Sequence, residues 1–218
     1  MTKMLNEYAS KEILKQYGIP VGWYALAKSR EEVAPILREQ RDPVAMKIIS
    51  DDIVHKTEAG GVKLNIRGAE EGEAAWDVLL ANAKAYKPDA KVEGVLVQRM
   101  VPKGVEVIVG GLRDVQFGPV IMFGLGGIFV EIFKDVQFRM APLTPKEALD
   151  LITSIKAFPM LTGARGQAPV NLEALAELIV STSEFLSENQ DVKEIDLNPV
   201  ICFAGNVQAL DASIGYDG

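Results

Sequence analysis

Between residues 94 and 140 four β-leaning runs follow one another, GVLVQRMV, GVEVIVGGL, FGPVIMFGLGG and FVEIFKDVQFRM, with only Gly, Pro and Asp punctuation between them. Val, Ile and Phe favour the pleated strand, and the connections are turn-length, whereas parallel neighbours need crossovers of about a dozen residues or more. The run therefore predicts an antiparallel sheet. The whole chain has 218 residues, enough for one domain or two closely joined subdomains with a real core.

Helical patterns flank this sheet. Asn6 caps a helix through Ile13, Leu14 and Tyr17, which Gly18 and Pro20 stop. Ser29 and Glu32 have the spacing of a capping box, while Pro35 argues for a start nearer Ala34. PVAMKIIS at 43–50 and GVKLNI at 61–66 read as strands around the polar segment DDIVHKTEAG. Trp76, Leu79, Leu80 and Ala83 recur at helical spacing within 70–86. Helices over 145–155 and 172–188 precede two closing strands, 192–203 and 206–214. The fold class is α+β. The strand at 95–100 is expected to be a hinge between two lobes, and the Gly-rich 163–168 (GARGQA) a mobile loop.

Composition excludes several function classes. There are 23 basic and 30 acidic residues, a net charge of −7, and no basic cluster of the kind that replaces phosphate counterions, so nucleic acid is not an expected partner. The most apolar stretch, 120–130, is broken by glycines and is far short of the ~18 residues of a membrane span. Asn6, Glu7, Lys11 and Glu12 interrupt any export signal, so the cytoplasm is the expected location. Cys202 is the only cysteine, which rules out an internal disulfide and zinc sites built on paired Cys or His.

Several residues carry chemistry. The strand period of PVAMKIIS puts Ala45, Lys47 and Ile49 on one face and Val44, Met46 and Ile48 on the other. An ammonium among apolar neighbours needs an anion or an outlet to solvent, so Lys47 contacts a phosphate, pairs with a structural carboxylate or snorkels. Glu194, Asp196 and Asn198 alternate onto one face of 192–203. If Ala204 and Gly205 form a two-residue hairpin loop, 203 pairs with 206 and Asn198 stands opposite Asp211. If the loop is Gly205 and Asn206, Asp211 faces Val200, diagonal to Asn198. Both registers keep the same face. Two carboxylates and an amide oxygen form a hard-oxygen set suited to Mg²⁺ shared with phosphates, the alternative being a solvated polar hairpin.

Glu106 and Glu131 lie in apolar strands, where acids are depleted, so each needs a ligand or a partner among Arg99, Arg113 and Arg139. Gly124, Gly126 and Gly127 do not make a dinucleotide fingerprint, because Phe129 stands at the third glycine; they permit close backbone approach to a ligand or only bend the strand. No P-loop is present. His55 is the only histidine, in SDDIVHKTEAGG with Gly60 and Gly61 as a hinge; it is either a solvent-exposed bystander or a nucleophile toward phosphorus.

Taken together, LNEYASKEILKQYGIPV, PVAMKIIS, DIVHKTEAGGVKLNI, GVLVQRMVPKGVEVIVGGLRDVQFGPVIMFGLGG, VEIFKDVQFRMAPL and EIDLNPV with LDASI resemble the ATP-grasp β subunit of ADP-forming (NDP-forming) acetyl-CoA and acyl-CoA synthetases, which is related to succinyl-CoA synthetase. The resemblance implies a two-lobed ATP-grasp fold, with nucleotide held between a small lobe of 21–97 and a large lobe of 1–20 plus 98–218. It implies a phosphate contact for Lys47, an adenine-receiving hinge at 98–101 with Met100 and Val101, and a nucleotide-holding acid in Glu106. Asn198 and Asp211 match magnesium ligands with Asp196 beside them, and His55 matches a phosphohistidine on a mobile loop. Gln98 stands where succinyl-CoA synthetase has a glutamate and is left out of the catalytic set.

The implied reaction converts acyl-CoA, ADP and phosphate into acid, CoA and ATP, reversibly, with Mg²⁺ and ATP/ADP. Because the chain ends at Gly218 without a further fingerprint, CoA chemistry is expected on a separate α subunit, in an α2β2 heterotetramer. Two other readings compete. One is a nucleotide-sensing regulatory module, which needs no phosphoryl acceptor; the other is a carboxylate-amine ligase, in which His55 is idle.

Overall fold

The computed structural model describes residues 2–53, 55–127, 134–163 and 168–218. The expectations for Glu131 and for most of GARGQA lie outside the described residues. Two compact units divide the chain, one of Met1–Val21 with Lys103–Gly218 and the other of Gly22–Pro102.

The first unit opens with strand β1 (Thr2–Met4) and helix α1 (Glu7–Gln16). Asn6 caps α1 as expected, its side-chain oxygen accepting from Ala9 N at 3.0 Å, and Gly18 follows with a φ of +74°. The buried face of α1 is unusual: it carries Glu7, Ser10 and Lys11 beside Leu14.

The second unit contains β2 (Tyr24–Ala27), α2 (Arg30–Arg38), β3 (Val44–Ile49), β4 (Val62–Ile66), α3 (Gly68–Tyr86) and β5 (Gly94–Arg99). Its antiparallel sheet has the order β2-β5-β3-β4. Val44, Met46, Ile48, Val95 and Val97 of the sheet meet Val33 and Leu37 of α2 and Ala75, Leu79 and Ala83 of α3 in one core. The capping box expected for α2 does not form. Ser29 makes no side-chain cap bond, Glu32 instead accepts from Lys28 N at 2.7 Å, and the helix begins at Arg30 rather than near Ala34, with Pro35 inside it. The backbone bond that Pro35 forgoes is offset by burial of Val33, Ala34 and Leu37 on one stripe.

The first unit resumes with β6 (Val105–Asp114), β7 (Gly118–Leu125), β8 (Val136–Met140), α4 (Pro145–Thr153), α5 (Leu172–Glu188), β9 (Val192–Cys202), β10 (Val207–Ala209) and β11 (Ser213–Asp217). The expected antiparallel sheet is present, in the order β1-β11-β9-β6-β7-β8, with β10 also beside β9. Buried residues of α4 and α5, among them Leu151, Ile179 and Phe185, lie with Val109, Phe123 and Leu197 in the core of this unit. The closing strand expected over 206–214 is two strands, interrupted around Asp211. Among the described residues no helix is long and apolar enough to cross a membrane.

Leu79 is fully buried where α3 meets the four-stranded sheet. Leu79→Ala is expected to destabilise the protein by about 2–5 kcal/mol, read from the midpoint of urea unfolding at constant slope.

Candidate functional site

The acidic face is built on β9. Its alternation is the expected one, with Glu194, Asp196 and Asn198 exposed and Ile195 and Leu197 buried. The hairpin uses the first of the two registers: Phe203 N donates to Asn206 O at 2.8 Å, and Val207 pairs with Cys202 and Ala209 with Val200. The same offset resumes at Ser213 opposite Asp196, so Asp211 lies opposite Asn198 across the interrupted stretch. On the other side of β9 the pairing with β6 passes from Val107–Val200 to Val109–Leu197. Asn198 and Pro199 thus face the single residue Ile108, a bulge of the kind that re-aims a side chain. Pro199, inside a strand paired on both edges and with no N–H to donate, is its signal in the sequence.

Asp196 lines a concavity of about 330 Å³ with Glu194, Ser213 and the apolar Met4, Met122 and Phe138. Solvent reaches the carboxylate, yet protein flanks it closely. This desolvation, together with the negative charges of Asp211 and Glu194, pushes its carboxyl up to about 6 from an ordinary 3.8. Asp211 Oδ1 accepts from Ala212 N at 2.8 Å. Among the described residues no three His, Cys, Asp or Glu side chains form a ready metal site, so any site here depends on the Asn198 amide oxygen as a third donor. The donor chemistry of Asn198, Asp211 and Asp196 suits a hard divalent cation, which would offset the desolvation and the neighbouring carboxylate charges that raise Asp196.

In the other unit, Lys47 is half-buried at mid-β3, between Leu96 of β5 and Val62 of β4, on the face opposite the core formed by Val44, Met46 and Ile48. Gln98 lies one residue pair along the same face, opposite Ala45, and is buried. Its alternation with Leu96, the partner of Lys47, is the signal by which sequence alone places it there. Met100 and Val101 follow the end of β5; Met100 N donates to Pro43 O at 2.9 Å, and the Met100 sulfur accepts from Asn65 N at 3.1 Å.

His55 is exposed in the loop between β3 and β4. That loop is closed at its base, where Gly61 N donates to Lys56 O at 2.7 Å and Ile48 N to Gly61 O at 2.9 Å. Gly61 is needed there, since a β-carbon would come within 2.5 Å of the Ile48 side chain and 3.0 Å of the Lys56 carbonyl. Asn82 of α3 donates to Gly60 O at 2.9 Å. The loop base therefore hangs on the strand that carries Lys47.

Glu106 is exposed at the start of β6, opposite Ile201. Among the described residues none of the three candidate arginines pairs with it. Arg113 donates to the carbonyls of Leu186, Asn189 and Val192, Arg99 to Gln40, and Arg139 to Phe138 O. Gly126 lies close against β6: Gly126 N donates to Glu106 O at 2.7 Å, and a β-carbon on Gly126 would lie 3.1 Å from that backbone.

Comparison with known proteins bears on this arrangement. The ATP-grasp domain family matches residues 1–215. The chain is 53% identical over 208 residues to the β subunit of acetate–CoA ligase (ADP-forming) I of Pyrococcus furiosus, covering 95% of this chain and 90% of that one. It superposes, with a TM-score of 0.95 and 46% identity, on the dinucleotide forming acetyl-coenzyme A synthetase 1 of Ca. Korarchaeum cryptofilum in complex with coenzyme A, Ca-AMPCP and HgCl⁺, covering 99% of this chain and 94% of that one. A further structure of that synthetase, with coenzyme A and Mg-AMPPCP and its phosphohistidine segment pointing towards the nucleotide binding site, gives a TM-score of 0.87 at 42% identity, covering 99% and 93%.

The chain belongs to the ATP-grasp family, alongside the β subunits of ADP-forming acetate–CoA ligases. The resemblance in its segments and the α+β ATP-grasp fold class are both borne out.

In this ATP-grasp chain the raised Asp196 carboxyl has a stability consequence. The native protein holds that proton more tightly than the unfolded chain, so the penalty is present above pH 6 and is lost as the pH falls toward the ordinary 3.8. Asp196→Asn is expected to raise the melting temperature at about pH 8, with the gain shrinking through pH 6 and gone near about pH 4. Thermal melts of both chains across that range check it, and a gain independent of pH would refute it.

Proposed function

We propose that the chain is the nucleotide-binding β subunit of an ADP-forming acyl-CoA synthetase, an acid–CoA ligase that makes ATP from ADP and phosphate as acyl-CoA is converted to acid and CoA, reversibly. The observation that carries the reading is that its relative with Mg-AMPPCP has a phosphohistidine segment, and this chain has a single histidine, exposed on a loop whose base hangs from the Lys47 strand. The chain's small lobe is 21–97 and its large lobe 1–20 with 98–218, a division supported by two compact units with nearby bounds, Gly22–Pro102 and Met1–Val21 with Lys103–Gly218. A CoA-binding α subunit on a separate chain completes the enzyme, in an α2β2 assembly in the cytoplasm. The β-subunit relative supports a separate partner.

In this reading a His55 ring nitrogen attacks the phosphorus of a phosphoryl group carried on a histidine nitrogen of the partner subunit. A new N–P bond forms as the old one breaks, and the electron pair stays with the departing nitrogen. The phosphoryl group then passes to the terminal phosphate oxygen of ADP: a P–O bond forms, and the His55 nitrogen recovers its electron pair. Lys47 holds the phosphates as a point charge, Met100 and Val101 receive the adenine, and Glu106 holds the nucleotide from β6. Asn198, Asp211 and Asp196 would hold Mg²⁺, which when bound neutralises phosphate charge.

Incubation with Mg²⁺ and γ-phosphate-labelled ATP is expected to leave acid-labile, base-stable label on the wild type and none on His55→Ala. Turnover with the partner subunit is expected to fall by at least ~10³-fold in the variant. Label on neither chain, with ADP binding intact in both, would instead favour a nucleotide-sensing module.

A further inference from the structure

Ladder pairing lapses at 210–212, between β10 and β11, and this is the stretch that carries Asp211. Backbone bonds hold it on either side. Ala209 N donates to Pro20 O at 2.8 Å, Leu210 N to Pro199 O at 2.9 Å, and Leu5 N to Ile214 O at 2.8 Å. Inside the lapse the Leu210 carbonyl accepts from Lys11 Nζ at 2.8 Å, a side chain 199 residues away in sequence. That carbonyl and the Asp211 nitrogen share one planar peptide unit, so fixing the oxygen fixes the plane from which Asp211 departs. The bond from Ala212 N to Asp211 Oδ1 then orients the carboxylate itself.

Lys11 is in turn held by Glu7 Oε1 at 2.7 Å, one helical turn earlier on α1. The two side chains are 0% and 1% exposed. Stability is a poor explanation for ions this deep, because a buried pair replaced by apolar residues of similar volume is often neutral or better. What an apolar pair cannot do is donate to the Leu210 carbonyl. We propose that the Glu7–Lys11 pair is a positioning device, in which Glu7 aims Lys11 and Lys11 holds the Leu210–Asp211 peptide so that Asp211 is set to ligate the divalent cation of the nucleotide. The inference rests on the reading of Asp211 as a magnesium ligand.

Lys11→Met alone would remove the cation that faces the buried Glu7 carboxylate, so the informative variant replaces both residues, E7M/K11M. The measurement is ADP binding to the full chain by calorimetry, without metal and across a Mg²⁺ series, beside thermal melts. The expected result is a melting temperature close to wild type, unchanged metal-free ADP affinity, and a Mg²⁺ concentration for half-maximal enhancement raised about tenfold, the lower end of what loss of an outer-shell partner costs. A native melting temperature with a wild-type Mg²⁺ requirement would reduce the pair to packing and overturn the inference. If E7M/K11M does not fold, E7Q/K11M takes its place, which removes the ammonium that reaches the Leu210 carbonyl and leaves a neutral amide at residue 7; the same two outcomes decide. Asp211→Asn runs alongside. If that variant keeps the wild-type Mg²⁺ requirement, the ligand assignment of Asp211 falls, a failure distinct from that of the tether.

Discussion

A slip of β9 by one residue would turn Ile195 and Leu197 toward solvent and drive Glu194, Asp196 and Asn198 into the layer beneath α5. Burying carboxylates without partners costs several kcal/mol each, far beyond the ~1.5–3 kcal/mol gained by burying one aliphatic side chain. The acids are therefore fixed by the apolar residues between them. β9 is also bonded on both sides, to β6 along one edge and to β10 and β11 along the other, so every residue of the acidic face inherits its place from this one register.

The arrangement is electrostatically expensive by itself. Desolvation by the walls of the concavity pushes the Asp196 carboxyl upward, and the charges of Asp211 and Glu194 add to it. A site meant only to be stable would separate these charges. An anionic cluster raised on a rigid sheet suits a cation that arrives with phosphates, because the repulsion present beforehand becomes attraction when the cation binds. Lys47, proposed to hold the phosphates, is carried by the other unit, on the sheet face opposite the core of Val44, Met46 and Ile48 and among the buried Ala45, Ile49 and Leu96. The chain termini converge on the acidic unit: β1 borders β11, and α1 sends Lys11 to the carbonyl preceding Asp211.

Much of this was legible in the sequence because period and punctuation are local. The two-residue alternation in PVAMKIIS separates Lys47 from Val44, Met46 and Ile48, and that in KEIDLN separates the acids from Ile195 and Leu197. Asn6 caps α1 by accepting from Ala9 N, an interaction three residues long. Ser29 misled because a capping box is a spacing, and Lys28 N won the Glu32 carboxylate instead. Pro35 misled because burial of one helical stripe outweighed one missing backbone bond.

By itself, the sequence determined that the chain pairs its strands antiparallel, which residues share a face, and which family it belongs to, since each of these depends on residue type at short, fixed spacing. Only the tertiary structure decided which of two hairpin registers sets Asp211 opposite Asn198, that a bulge at Asn198 and Pro199 faces Ile108, and that a buried ammonium on the first helix holds the backbone beside Asp211. Those depend on which groups meet after the chain has folded back over some two hundred residues, where long-range hydrogen bonding and burial, not local propensity, choose among alternatives that the sequence leaves equal.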